Sequence, residues 1–187
     1  MKTVIAALIV AGLAASPAAQ AKESEGRERF SAFAVNLDGP YGATTSVLQI
    51  NIDRWSTPDV RRKLESALAE NGPEALLAAL QKTKPVGRIR TTGNLGYDLR
   101  FAYQYPLATG GRRIVIGTDR PLSFYEASTR PRSADYPITI LELRVDDKGR
   151  GRGEMVVASR VTSLGESIEL ENYNATPVQL MQVQLDK

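Results

Sequence analysis

The chain of 187 residues contains no cysteine and no histidine. Those absences exclude disulfides, a thiol nucleophile, a Ser-His-Asp triad, and zinc sites built on imidazole or thiolate. A lipid-modified cysteine is excluded on the same ground. Gly-x-Ser-x-Gly, Ser-x-x-Lys, the Gly-x-x-x-x-Gly-Lys phosphate loop and a dinucleotide fingerprint are also missing. Charge of one sign is lacking too: 24 basic against 21 acidic residues is too even a balance to imply nucleic acid. What remains open is carboxylate acid-base chemistry, oxygen-ligated calcium or magnesium, or binding by arginine. No cofactor is expected.

Long apolar runs are scarce as well. The one that stands out is Val4 to Leu13, preceded by Lys2 and followed by Ser16, Pro17 and the triplet Ala19, Gln20, Ala21. A basic start, a short apolar core and an Ala-x-Ala end make up a secretory signal peptide, so residues 1–21 are expected to be removed. The run is well short of the roughly 20 residues of a membrane-spanning helix. The expectation is an exported protein, periplasmic or secreted, soluble and with no transmembrane segment in the mature chain. Residues 22–29 are charged and read as a flexible lead-in. Residues 30–187 fit one domain, large enough to bury about 70% of its chain surface without disulfides.

Within that domain the apolar residues alternate. Leu48, Ile50 and Ile52 face away from Gln49, Asn51 and Asp53, the period of a strand with one buried face. At Trp55 the period changes. Ser56, Thr57, Pro58 and Asp59 supply capping signals ahead of Val60, Leu64 and Leu68, and Asn71-Gly72-Pro73 separates these from Leu76, Leu77 and Leu80. Two helices forming a hairpin over about residues 57–83 are expected. Strands resume at Arg88, and Tyr97, Leu99, Phe101, Tyr103 and Tyr105 then recur at every second residue. That stripe reads as one face of a strand, either sheet core or the lining of a sugar or lipid groove. Further strands are expected over residues 112–118, 138–145, 155–161, 168–173 and 178–185. Asp146-Asp147-Lys148-Gly149 reads as a hairpin turn rather than a calcium loop, whose acids stand at alternate positions. Asn174-Ala175-Thr176 fits the glycosylation pattern, a motif that also occurs by chance.

Candidate functional residues cluster between Arg88 and Arg132, where eight arginines, no lysine and three acids occur. Guanidinium groups match carboxylate and phosphate geometry. The candidate binding set is therefore Arg88, Arg90, Arg100, Arg112, Arg113, Asp119, Arg120, Tyr125, Glu126, Arg130 and Arg132. The 19 residues from Asp119 to Pro137 between two strands exceed the usual hairpin connection of about 2 to 5. They make either a site or a connector pinned by Asp119 pairing with Arg120 or Arg130. The partners considered are an anionic glycan, a lipid head group or an envelope protein, with nucleic acid disfavoured. The alternatives are glycan hydrolysis by Glu126 with Asp119 or Asp135, and a structural or assembly role.

The segments GRRIVIGTDRPLSFYEA, DYPITILELRVDDKGRGRG and SIELENY resemble those of a family of exported bacterial proteins to which no activity is attached. The likeness spans most of Phe30 to Val183 and implies export and a shared fold, with no catalytic residue. The expected architecture is α+β: mainly antiparallel β of about eight strands, a curled sheet forming a barrel or sandwich, with an inserted helical hairpin.

Overall fold

A computed structural model describes residues 26–37, 43–120, 138–164, 168–172 and 177–186. The elements in chain order are β1 (Glu28–Asn36), β2 (Thr44–Ile52), α1 (Pro58–Lys82), β3 (Gly87–Thr91), β4 (Tyr97–Leu99), β5 (Phe101–Pro106), β6 (Arg112–Gly117), β7 (Ile138–Val145), β8 (Arg150–Leu164), β9 (Ile168–Asn172) and β10 (Val178–Asp186). The expected signal peptide and most of the long connection after Asp119 lie outside the described residues, as does the Asn174 motif.

Nine strands stand in the order β4-β3-β2-β1-β10-β8-β7-β6-β5, and β9 pairs with β8 off that path. Every pairing is antiparallel. The two ends of this order, β4 and β5, are consecutive in the chain and separated by Arg100 alone. One extended segment thus pairs with β3 by its first half and with β6 by its second, curling the sheet into a nearly closed barrel. Backbone bonds cross the seam from both sides, Val86 N to Leu99 O at 2.8 Å and Arg100 N to Gly117 O at 2.9 Å.

Apolar side chains cluster in the barrel interior. Phe30, Leu48, Ile50, Ile52, Ile89, Leu99, Ile114, Ile116, Leu141, Leu143 and Met155 are fully buried, and alternation along each strand aims them at one another. A second cluster lies outside the wall. There Leu64, Leu68, Leu76 and Leu80 of α1 cover Phe101, Tyr103, Val115, Ile138 and Ile140. The middle of the β5–β6–β7 wall is consequently buried on both faces, which is why Ile138 to Leu141 and Ile114 to Ile116 are near-continuous apolar runs.

Several expectations need correction. Strand β1 begins at Glu28, inside the expected lead-in. Strand β8 begins at Arg150, where a strand was expected only from Met155. The helical hairpin is a single helix, broken at Gly72 (φ 79°, ψ −172°) just ahead of Pro73. Glycine alone accepts that backbone readily, and proline needs no donor in a first turn. The aromatic stripe is also not one face. Tyr97 and Leu99 join the interior cluster, whereas Phe101, Tyr103 and Tyr105 lie outside under α1. The irregular residue Arg100 between the two strands inverts the alternation, and Ala102 takes the interior position.

Helix α1 is tied to this seam at both ends. Ser56 N donates to Ala102 O (2.8 Å) and Ala102 N to Ser56 Oγ (3.1 Å). Thr57, the next residue, is the cap whose hydroxyl accepts from Val60 N at 3.4 Å. At the other end Thr83 Oγ1 donates to Ala79 O at 2.8 Å, and Thr83 O accepts from Arg100 Nη1 at 3.1 Å. Among the described residues no helix is long and apolar enough to cross a membrane.

Candidate functional site

The candidate arginines do not share one face. Arg88, Arg100 and Asp119 come together at the barrel seam. Arg88 Nη2 reaches Asp98 Oδ1 at 3.3 Å, Arg100 Nη2 lies 3.9 Å from Asp98 Oδ2, and Arg100 Nε donates to Asp119 Oδ2 at 3.1 Å. Among the described residues the partner of Asp119 is therefore Arg100 and not Arg120, while Arg130, the other expected partner, lies outside them. This alternating chain of charges neutralises itself and is part of the wall.

Arg112 is equally committed. Its two terminal nitrogens grip Glu28 at 2.5 and 3.0 Å and Gln104 Oε1 at 2.6 Å. The rings of Phe30 and Trp55 each lie 5.7 Å from its guanidinium carbon. Arg90 donates to Gln49 Oε1 on the outer face (2.7 Å), and Arg120 lies 5.9 Å from the Tyr97 ring centroid. Tyr125, Glu126, Arg130, Arg132 and Asp135 lie outside the described residues. Closeness in sequence fails to become closeness in space because successive strands occupy successive positions around a barrel.

Arg113 is the exception, because it belongs to a larger arrangement. On the outer face Arg113 of β6 stands opposite Arg144 of β7, and Arg144 opposite Arg152 of β8. The next row holds Glu142 of β7 opposite Glu154 of β8, and Glu154 opposite Gln179 of β10. Like charges set directly opposite are unfavourable; attraction between the rows offsets this only in part. Arg144 Nε donates to Glu142 Oε1 at 2.8 Å, and Arg113 Nη1 lies 3.9 Å from Glu142 Oε2. Arg113 also sits over the Tyr105 ring at 4.6 Å. Arg152 and Glu154 are exposed and make no ion pair among the described residues.

Glu142, Arg144, Arg152, Glu154 and Gln179 of these rows line a cleft of about 520 Å³, with Ile140 and Val156 as apolar wall and Gly153 between the charged residues. A rigid floor of three adjacent strands presents guanidinium forks beside carboxylates and one amide. In chemistry, such a surface matches an anion at one row and hydroxyl or ammonium donors at the other. Arg144 and Arg152 were missed in sequence because Arg150 to Gly153 follows a turn signal. The available clue was Arg144-x-x-x-x-x-x-x-Arg152 across that turn, a spacing that makes cross-strand partners in a hairpin.

The turn itself is as expected. Asp146 Oδ1 accepts from Lys148 N (2.9 Å) and Arg150 N (2.8 Å), and Gly149 has φ 75°. The Arg150 amide bond, foremost, holds the Asp146 carboxyl below the usual carboxylate range, with the Lys148 amide adding to it. Compared with known proteins, the chain matches no family model, no curated protein and no solved structure.

Proposed function

We propose that this is an exported binding module, not an enzyme, that holds an anionic ligand against Arg144 and Arg152, with an acidic glycan as the preferred class. The observation that carries the reading is the guanidinium row in cross-strand register. A carboxylate or phosphate placed between Arg144 and Arg152 relieves their mutual repulsion and gains charge-assisted hydrogen bonds. Glu142, Glu154 and Gln179 then face the hydroxyls of a sugar, which favours a glycan over a bare anion or a lipid head group. Export rests on the pattern of residues 1–21 alone.

The test is binding of the purified protein to oligogalacturonate, with phosphatidylglycerol vesicles, duplex DNA and a neutral oligosaccharide as comparisons. Salt-sensitive binding of the oligogalacturonate, lost in Arg144→Ser and Arg152→Ser, is the expected result. Equal binding of all polyanions, or no effect of either substitution, would remove the proposal.

One observation favours a second reading, hydrolysis of a glycan. Glu142 and Glu154 are cross-strand partners in the same cleft, and such pairs have Cβ atoms about 4.5 to 5.5 Å apart. Retaining glycosidases hold their carboxyl groups about 5 to 5.5 Å apart, a separation within reach of side chains on such a pair. Release of reducing ends from an acidic glycan, abolished by Glu154→Gln, would select this reading over simple binding.

A further inference from the structure

Strand β10 carries one residue more than β8 where the two pass Arg152. Leu180 pairs with Gly153 and Val183 with Gly151, so Met181 and Gln182 both stand opposite Arg152. The pairing of β10 with β1 shifts at the same place, between Ser31 and Phe33. Such a bulge interrupts the alternation of a strand, and here it leaves Met181 and Gln182 both exposed between the buried Leu180 and Val183. Among the described residues Gln182 is also the one non-glycine position with positive φ, 51°. That left-handed backbone is strained for a residue with a Cβ and easy for glycine.

The strain sits at the end of the guanidinium row. Arg113, Arg144 and Arg152 are followed on β10 by this bulge, and the Gln182 side chain makes no hydrogen bond to another described residue. Bulges beside binding sites re-aim a side chain, and a strained backbone position points to use by a ligand more than to packing.

We infer that Gln182 contacts the ligand and reads a second unit of the acidic glycan, an inference that rests on the anion site at Arg144 and Arg152. Two steps between adjacent strands separate Arg144 on β7 from the bulge on β10, about 10 Å, which is more than one sugar ring covers. With the carboxylate of one unit between Arg144 and Arg152, the next unit along the row lies over β10. The Gln182 amide suits that unit, because its N–H groups donate to a carboxylate or hydroxyl oxygen while its carbonyl accepts from a hydroxyl. A guanidinium there could only donate, and a carboxylate would repel the charge of the ligand. Gln182 thus makes the site select an oligomer over a single sugar acid.

NMR titration of the parent, Gln182→Gly and Gln182→Glu with oligogalacturonate and with monomeric galacturonate tests this. Gln182→Gly should weaken the oligomer by about fivefold or more, the worth of one amide hydrogen bond, and leave binding of the monomer unchanged. The same variant should unfold at a higher urea concentration than the parent, since glycine accepts the backbone readily. Gln182→Glu keeps the side-chain length and should weaken the oligomer further, most of all at low salt. If Arg152→Ser loses binding while both Gln182 variants bind the oligomer as the parent does, this inference fails and the anion site stands. A parent that binds neither ligand would remove both. Equal weakening of monomer and oligomer by Gln182→Gly would overturn the second-unit role, and a lowered urea midpoint would contradict the strained backbone.

Discussion

Replacing Arg100 by methionine keeps most of the aliphatic stem and removes the charge that joins the two ends of the sheet. Arg100 and Asp119 are 19% and 14% exposed, and their closest atoms are 3.1 Å apart. Charge centres about 4 Å apart at an effective dielectric near 20 attract by about 4 kcal/mol before desolvation is counted. Breaking a fully buried pair costs about 3 to 5 kcal/mol, chiefly because the surviving charge is stranded. The residual exposure here lowers that, so Arg100→Met should cost about 2 to 3 kcal/mol, including the unpaired Thr83 carbonyl. Asp119→Asn keeps an acceptor and should cost about 1 to 2 kcal/mol. The double variant strands no carboxylate at position 119, so it should be less destabilised than the sum by about 1 to 2 kcal/mol. Urea unfolding of the parent and all three variants measures each quantity through the midpoint at constant slope. Additive effects below about 0.5 kcal/mol each would refute the reasoning and leave the seam held by backbone and apolar contacts alone.

The same logic applies at the barrel end, where Arg112→Met strands Glu28 and removes the cation between Phe30 and Trp55; a loss of about 2 to 4 kcal/mol in thermal or urea unfolding is expected. Two glycines with similar φ separate backbone strain from lack of space. Gly93→Ala (φ 81°, open surroundings) should cost about 1 kcal/mol, whereas at Gly149 (φ 75°) an added Cβ collides with Leu185, and Gly149→Ala should cost clearly more, about 2 to 4 kcal/mol. Because the folded pKa of Asp146 is depressed, its contribution is present above the unfolded carboxylate pKa and lost as pH falls through the folded value. Asp146→Asn should therefore narrow its stability gap to the parent as the pH drops into the acid range, and a carboxyl titration followed by NMR should place Asp146 below the usual carboxylate range.

Much of the barrel was legible because its information is local. Strand alternation at Leu48 to Ile52, the capping signals at Thr57 and Pro58, and the Asp146 turn each depend on neighbours within a few residues. The inversion at Arg100 was not legible, since Tyr97 to Tyr105 keeps a perfect period of two while the strand changes partners and sides. The hairpin arrangement was not legible either at Gly72-Pro73, where a corner and a kink have the same residues. The spatial grouping of the arginines was hidden for a different reason. Arg113, Arg144 and Arg152 are separated by 31 and 8 positions in the sequence and meet through register, while the arginines adjacent in sequence are committed to Asp98, Asp119 and Glu28.

The most direct measurement of the central claim is an NMR titration of the isotope-labelled protein with oligogalacturonate. Shift changes centred on the amides of Gly151, Arg152, Gly153 and Gln179, and on the Arg144 and Arg152 side chains, are the predicted result. Changes centred on Arg88, Arg90 and Asp98, or no saturable change, would contradict it.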